Sequence, residues 1–269
     1  MNKTKQEINK EIIALSTFEA VRLRSEMYIG QVAPMDDKLP IIENGKLISK
    51  DKVWSPGFMH LIVEILENAI DEAKRMNGKM KKIYVKIDLD TNRVTIRDEG
   101  DGFYQAHKKH SKTKKNVVRT AFEELHSGSN FTDSDQNILG THGVGSSICN
   151  ILSEEFEVTT VNKTHKVHYK WNDFKIVEEK IEKKQKGEQT GTEVSFIPSS
   201  EVFKGFKWDI ELIKTYLSFK SFLLSLDNSL SKLEIEGIFL NKGKEEVIEI
   251  TRDFLPKDRI EVINKDWGS

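Results

Sequence analysis

The sequence has little of two residue types that constrain a chain: one cysteine, Cys149, and 5 prolines among 269 residues. A single cysteine excludes a disulfide within the chain and is typical of a reducing compartment. No apolar run approaches the roughly 20 residues of a membrane span, and the first residues, MNKTKQEINKEIIALS, are too charged for a signal peptide. We therefore expect a soluble cytoplasmic protein with no membrane partner.

The chain also lacks an excess of charge of either sign. Its 42 basic and 43 acidic side chains give a formal net charge of -1, although charged residues make up 32% of the sequence. Such a chain has no global field that favours nucleic acid or a membrane surface, so any site for a polyanion must be local. The length allows one large domain or two small ones.

Hydrophobic periodicity predicts the secondary structure. The Asn44-Gly45 pair lies within a proline-containing segment, 31–56, and favours an inserted hairpin there. Residues 103–145 are irregular and are predicted to form a mobile lid. Helices are expected over 17–26, 58–75, 116–126, 146–154 and 208–226, and strands over 81–90, 93–98, 156–161, 165–171, 174–182, 192–198 and, as a final hairpin, 232–250.

A polar stripe runs along the otherwise apolar segment HLIVEILENAIDEA, residues 60–73. His60, Glu64 and Asn68 follow one another at intervals of four and therefore share one face of a helix. The stripe could be the solvated side of the helix, together with Glu67 and Asp71. Alternatively, Glu64 is a general base, His60 positions it or its water, and the Asn68 amide oxygen binds a divalent ion. The spacing does not decide between the two.

A second candidate is the strand end RVTIRDEGDG, where Asp98 shares the apolar face of Val94 and Ile96. The adjacent Gly100 and Gly102 would let the chain turn and let a planar ligand approach the backbone. A carboxylate in an apolar pocket suits an exocyclic amine such as that of adenine. The alternative is an ordinary Asp-Gly turn.

Three further segments carry weaker signals. LGTHGVGSSICN places Gly140, Gly143 and Gly145 before a helix, where backbone amides favour phosphate, although it matches neither the Walker nor the dinucleotide fingerprint. TGTEVSF offers Thr192 at the head of a strand, or only a turn. The basic run 108–115 is either a solvated loop or a contact for DNA or phosphate.

Taken in order, VRLRSEMYIG, HLIVEILENAIDEA, RDEGDG, LGTHGVGSSICNILS and TGTEVSF resemble the ATPase domain of gyrase B subunits and other type II DNA topoisomerases. This GHKL, or Bergerat, fold implies an α+β protein: a two-layer α/β sandwich with a mixed, mostly antiparallel sheet and helices on one face. The resemblance assigns 1–17 to an N-terminal arm, 18–250 to the ATPase domain with an ATP lid at 103–145, and 251–269 to a tail or the start of a transducer domain. The insertion at 31–56 resembles that of bacteriophage topoisomerase large subunits.

The resemblance also implies ligands, partners and roles. The substrate would be ATP with Mg²⁺, and the partners would be double-stranded DNA through the full enzyme, a second copy on ATP binding, and a separate or fused cleavage subunit in a bacterial cytoplasm or an infected host cell. Glu64 would activate water with support from His60, Asn68 would bind Mg²⁺, and Asp98 would accept from adenine with Thr192 nearby through water. The remaining nucleotide-binding positions are Gly100, Gly102, Gly140, His142, Gly143, Val144 and Gly145.

Three departures from the family pattern matter. Asp101 replaces the arginine that often pairs with the glutamate equivalent to Glu72, so that ion pair cannot form. Asn130 replaces a lid lysine, and the QTK motif that supplies a γ-phosphate lysine is absent from this sequence. We therefore expect the isolated chain to bind ATP and turn it over weakly. Another GHKL branch, repair-like or chaperone-like and using nucleotide as a conformational switch, is the alternative.

Overall fold

The computed structural model of the chain describes residues 15–125 and 144–254. Ten strands and seven helices, numbered here in chain order, lie within these residues. The strands are β1 Met35–Glu43, β2 Lys46–Trp54, β3 Lys82–Asp88, β4 Arg93–Asp98, β5 Ser153–Val161, β6 His165–Asn172, β7 Lys175–Lys183, β8 Gly191–Pro198, β9 Glu234–Asn241 and β10 Lys244–Ile248. The helices are α1 Thr17–Leu23, α2 Glu26–Ile29, α3 Pro56–Arg75, α4 Val117–Glu123, α5 Gly145–Ile151, α6 Ser200–Phe203 and α7 Ile210–Leu226.

Eight of these strands form one sheet in the order β10-β9-β3-β4-β8-β5-β6-β7. The β3 and β9 pair is parallel, whereas the other neighbours are antiparallel. Burial alternates along the strands: Ile83, Val85 and Ile87 are fully buried, while the intervening Tyr84 and Lys86 are only partly buried. Since α3, α5 and α7 pack on the apolar side, the predicted two-layer α+β sandwich with helices on one face is confirmed.

Helix α3 crosses the apolar face of the sheet and carries the polar stripe. It begins at Pro56, two residues earlier than predicted, because the Ser55 hydroxyl accepts a hydrogen bond from Phe58 N at 3.1 Å. Such a cap contributes about 1 kcal/mol, and proline at the first position needs no hydrogen-bond acceptor for its nitrogen. The buried residues of α3, among them Leu61, Leu66 and Ile70, fix the rotation of the helix and leave the stripe on its other side.

The segment before α3 forms the predicted hairpin, with β1 and β2 paired in register around Asn44-Gly45. Both turn residues have positive φ, at 50° and 70°, a conformation that asparagine and glycine tolerate. The hairpin packs on α7: Ile42 N donates to the Thr215 hydroxyl at 2.9 Å, and Lys52 bonds to carboxylates of the first turn of α7.

Several predicted boundaries differ from the structure. The helix expected over 17–26 is two short helices, because Arg24 adopts non-helical angles between α1 and α2. The helix expected over 146–154 ends at Ile151, because Ser153 is already buried in the sheet as the first residue of β5. Helix α6 was not predicted; its Ser199 cap and four residues are too short to show a period. None of the described helices is long and apolar enough to cross a membrane.

Candidate active site

The polar stripe of α3, formed by His60, Glu64 and Asn68, lies on a face of the helix that is partly open to solvent. His60 Nε2 lies 2.7 Å from Glu64 Oε1, and the two side chains are 35% and 31% exposed. Asn68, one turn further on, is exposed. The structure therefore brings the three predicted residues together in a line, with Glu64 held by His60 and still open to water.

The first turn of α5 meets this line. A Cβ added to Gly145 would lie 1.6 Å from Glu64 Oε2, so only glycine allows the carboxylate to pack against this backbone. The Asn68 side-chain amide donates to the Ser146 hydroxyl at 3.0 Å, which leaves its oxygen for another ligand. No side chain of the described residues caps the start of α5 at Val144. Free amide groups at a helix start attract anions.

Asp98 ends β4 on the apolar face, as the alternation predicted, and is only 6% exposed. Its Oδ1 atom accepts two backbone hydrogen bonds, from Gly100 N at 2.8 Å and Thr192 N at 3.1 Å. Burial, with a smaller contribution from the nearby Glu72, raises the pKa of Asp98 to about 7 against the opposing effect of the two amides. Because Oδ1 is occupied by both amides, Oδ2 remains as the acceptor for a ligand.

Thr192 reaches Asp98 directly through its backbone amide rather than its side chain. Its hydroxyl lies 3.1 Å from that of Thr160, a fully buried residue that also accepts from Phe103 N at 2.9 Å. Sequence reasoning missed Thr160 because a threonine within a strand carries no distinguishing signal. Gly191, next to Thr192, lies so close to β4 that a Cβ would be 2.2 Å from the Asp98 carbonyl oxygen.

The two predicted glycines after Asp98 have different reasons to be glycine. Gly102 has a φ of 69°, and a Cβ there would lie 2.4 Å from the Val161 carbonyl oxygen, so it allows a tight turn against β5. At Gly100 a Cβ would lie 2.5 Å from Glu72 Cγ. Both positions therefore require glycine for packing: Gly100 lies against α3, and Gly102 lies against β5.

Glu72 has a cationic partner even though residue 101 is aspartate. Arg75, one turn along α3, donates to both Glu72 oxygens at 2.7 and 2.6 Å and lies 3.5 Å from Asp101. Glu72 Oε1 also accepts from Asp101 N at 2.9 Å. Arg75 of α3 thus takes the place of the arginine that is missing at position 101. The i,i+3 spacing of Glu72 and Arg75 could have predicted this ion pair.

Glu67 and Asp71 do not lie on the solvated side of α3, contrary to one interpretation of the stripe. Their side chains are 15% and 12% exposed. Glu67 contacts Lys220 of α7, and its Oε2 is buried with no hydrogen-bond partner among the described residues. For Glu67 the reason is this contact with α7, which the sequence of α3 alone does not show.

The remaining predicted positions divide into two groups. Val144 and Gly145 are described and lie at the start of α5, beside Glu64. Gly140, His142 and Gly143, together with Asn130 of the predicted lid, lie outside the described residues.

Helices cover one face of the sheet, and Glu64 and Asn68 lie beside the glycine at the start of α5. Asp98 adds a buried carboxylate at the end of β4. Together these features have the form of a nucleotide-binding ATPase. Residues 55–201, which contain all of these described features, match the family described as histidine kinase-, DNA gyrase B-, and HSP90-like ATPase. The chain belongs to this family.

Several similar proteins within this family are DNA topoisomerases. The chain is 31% identical to the B subunit of DNA gyrase from Streptococcus pyogenes serotype M1 over 87% of its length, and 30% identical to the B subunit of DNA topoisomerase 4 from Mycoplasma capricolum over 99%. These alignments cover 33% and 38% of the relatives, so the chain spans roughly a third of their length.

Solved structures share the fold. The ATPase region of Saccharomyces cerevisiae topoisomerase II superposes with a TM-score of 0.73 at 24% identity, covering 95% of this chain and 65% of that one. The ATPase and transducer domains of topoisomerase II from Balamuthia mandrillaris give the same TM-score at 21% identity, covering 97% of this chain and 64% of that one.

Proposed function

We propose that the chain is the ATP-binding and ATP-hydrolysing clamp domain of a type II DNA topoisomerase. The observation that carries the proposal is the meeting of α3 and α5, where Glu64 lies between His60 and the backbone of Gly145 with Asn68 alongside. The names of the curated relatives favour the topoisomerase branch over other members of the family.

In this proposal Glu64 accepts the proton of the attacking water. Its side chain is partly exposed, as an acceptor for a water proton must be, and His60 at 2.7 Å restricts its orientation. The attack needs little covalent chemistry from the protein, because phosphoryl transfer depends mainly on positioning and charge neutralisation. Gly145 contributes by letting the carboxylate lie directly against the phosphate-facing backbone.

Asn68 is the residue that we assign to Mg²⁺. No group of three or more His, Cys, Asp or Glu side chains within 15–125 and 144–254 could hold a metal. In a nucleotide site Mg²⁺ keeps several waters and takes few protein oxygens besides those of phosphates. The donation of Asn68 Nδ2 to Ser146 leaves the side-chain oxygen for such a ligand, and a bound Mg²⁺ would neutralise phosphate charge.

Asp98 recognises the base. Its free Oδ2 in a buried setting suits the exocyclic amine of adenine, and the turn through Gly100 follows directly and donates to the other carboxylate oxygen. The Thr192 hydroxyl, which lies 3.1 Å from that of Thr160, would take part through water. At the other end, amides at Val144 and Gly145, with Gly140, His142 and Gly143, would hold the phosphates.

The partners and the location that we propose for the full enzyme follow from the topoisomerase branch of the family. In the full enzyme the domain would dimerise on ATP binding and act with a DNA-cleavage subunit on double-stranded DNA, in a bacterial cytoplasm or a phage-infected cell. The hairpin of β1 and β2 before α3 supports the resemblance to bacteriophage large subunits.

Relaxation of supercoiled DNA by the intact subunit with its cleavage partner tests the proposal. We expect relaxation to require ATP and to be lost in Glu64→Ala, whereas the exposed Glu246→Ala in β10 serves as a matched control with normal activity. Equal relaxation without ATP, or by Glu64→Ala, would contradict the proposal. Titration calorimetry should show that the chain itself binds ATP, with slow turnover; rapid hydrolysis by the chain alone would contradict the second expectation.

A further inference from the structure

Three neighbouring segments concentrate lysines at one end of the sheet. Residues 104–116, between β4 and α4, include five lysines and no acidic residue. The turn between β5 and β6 contributes Lys163, and segment 183–186 at the end of β7 contributes three more lysines. In a chain with a net charge of -1, this is a local excess of positive charge.

Direct contacts join the three segments into one surface. The ring of His107 stacks on that of His165 with centroids 3.9 Å apart. The Asn162 side chain donates to the Phe103 carbonyl oxygen at 2.9 Å. Lys184 N donates to the Thr164 carbonyl oxygen, also at 2.9 Å. The three segments are therefore direct neighbours, and their lysines belong to one region of the surface.

Most of these lysines have no carboxylate partner in the described part of the chain. Lys115 is neutralised by Glu123 and Glu124, and Lys166 by Glu188. The four lysines of 108–114, Lys163 and the three lysines of 183–186 have no carboxylate within 4.0 Å among the residues that the structure describes. We call these eight lysines the basic patch. Glu182, opposite Lys166 in the strand register, is an acidic side chain at its border.

The basic patch contrasts with the lysines of the hairpin. Lys50 and Lys52 each contact two carboxylates, so their charge is satisfied within the fold. Uncompensated lysines close together repel one another, and a polyanion removes that repulsion while releasing its own counterions. All members of the patch except Lys184 are exposed, so a partner can reach them without a change in the fold.

The composition of the patch favours the phosphates of duplex DNA as the partner. Lysine is a point charge that contacts phosphate without reading bases. Within residues 103–116, Tyr104 is the one exposed aromatic side chain, at 84%. The segment therefore offers little surface on which unpaired bases could stack.

We propose that the basic patch binds the backbone of duplex DNA directly and without sequence preference. The proposal takes its partner from the function proposed above, but it requires neither the nucleotide nor the residues of the ATP site. It places a DNA contact on the ATPase domain itself, reached through loop 103–116, which joins the site at Thr160 by the hydrogen bond from Phe103 N.

Fluorescence anisotropy of the full chain with a labelled duplex tests this proposal across a salt series. The patch variant carries Lys163→Gln, Lys183→Gln and Lys186→Gln, three exposed patch lysines outside the segment 103–145, and the control variant carries Lys46→Gln, Lys207→Gln and Lys232→Gln, three exposed lysines away from the patch. We expect the patch variant to lose about tenfold in affinity at low salt and to reduce the slope of log K against log salt by about 3, one for each lost phosphate contact. The control variant should bind like the unchanged chain.

Three results would overturn the proposal: no binding of duplex by the unchanged chain at low salt, equal losses in the two triple variants, or equally tight binding to labelled polyglutamate, which would indicate an acidic protein partner. Calorimetry with ATP separates this proposal from the function proposed above. The patch variant should bind ATP normally, and a chain that binds duplex through the patch but does not bind ATP would refute only the proposed function.

Discussion

The two carboxylates of the candidate site, Glu64 and Asp98, are held in opposite ways. The Glu64 side chain is 31% exposed, and its partner is the side chain of His60. Asp98 is 6% exposed and is fixed by two backbone amides on one oxygen. A general base must reach water, whereas a recognition group gains specificity from a desolvated and fixed position. In the proposed function a carboxylate group therefore serves chemistry at Glu64 and selectivity at Asp98.

Burial of the ionised Asp98 carboxylate lowers the free energy of unfolding by an amount that depends on pH. Its pKa of about 7 in the folded state lies above its ordinary value of 3.8. A carboxyl group with a raised folded-state pKa binds protons more tightly when folded, so it lowers the free energy of unfolding as pH rises from about 4 to about 7. Above pH 7 the full cost remains, up to about 4 kcal/mol for a shift of this size.

Replacement of Glu64 should produce the largest effect. In Glu64→Gln the side chain keeps its shape and its position against Gly145 but cannot accept a proton. We expect ATP turnover by the intact subunit to fall about 100- to 10,000-fold, while ATP affinity measured by calorimetry stays close to that of the unchanged protein. Glu246→Gln is the matched control. Retained turnover in Glu64→Gln would move the general base elsewhere.

Asp98→Asn should separate recognition from stability. The amide oxygen would keep the two bonds from Gly100 N and Thr192 N, which turns the NH₂ group towards the amine of adenine. Two donors then face each other, and we expect ATP affinity to fall about 10- to 100-fold, since an unpaired buried polar group costs about 1–3 kcal/mol.

The same substitution should raise the stability of the nucleotide-free chain. At pH 8 urea denaturation should give a larger free energy of unfolding for Asp98→Asn than for the unchanged chain, and the difference should shrink towards pH 5. A variant that lost both affinity and stability at pH 8 would indicate a damaged fold. Unchanged affinity would remove adenine from Asp98.

The pH dependence of ATP binding should follow the ionisation of Asp98. The adenine amine donates only to a carboxyl oxygen that is not protonated, so affinity should rise with pH. Between pH 6 and pH 8 we expect a gain of up to about tenfold, the change that one carboxyl with a pKa of about 7 allows. Phosphate groups of ATP titrate in the same range, so Asp98→Asn, which lacks the carboxyl, supplies the baseline. Parallel profiles for the two proteins would contradict this origin.

Arg75→Met should have a smaller effect on the same end of the site. Without Arg75, the charge of Glu72 is no longer balanced, and it raises the pKa of Asp98 further. Because Arg75 is 57% exposed, solvent weakens this effect, and we expect only about a two- to fivefold loss of ATP affinity at pH 7. Arg75→Lys should recover part of it, since the positive charge is restored. A loss that does not diminish at pH 8 would mean that Arg75 acts on packing instead.

The sequence predicts the parts of this molecule that depend on local periodicity. The stripe of α3, the alternation that buries Asp98 and the Asn44-Gly45 turn all follow from spacing within one element. The family order then adds the one-sided sandwich that the structure confirms.

Features that depend on contacts between distant elements were not predictable in this way. The burial of Glu67 comes from α7, which is more than 140 residues away in the chain. The bond of Asn68 to Ser146 and the role of Thr160 likewise require knowing which turns meet. Arg75 is the exception, because its spacing from Glu72 is local and the pairing could have been predicted from the helix.

Tyr216→Phe should have the smallest effect and delimits the Glu64 end of the site. The Tyr216 hydroxyl is buried with no hydrogen-bond partner among the described residues, and burial, with Glu67 and Glu64 nearby, raises its pKa far above the usual range. Removing an unpaired buried hydroxyl leaves no new unsatisfied group, so we expect the free energy of unfolding to stay within about 1 kcal/mol of the original or to rise slightly. Turnover should not change if His60 and Gly145 alone position Glu64. A loss of turnover with unchanged stability would show instead that α7 helps to hold Glu64. Glu64 would then depend on a distant element of the chain, as Asp98 does through Thr192, and the two carboxylates would differ less than their contacts indicate.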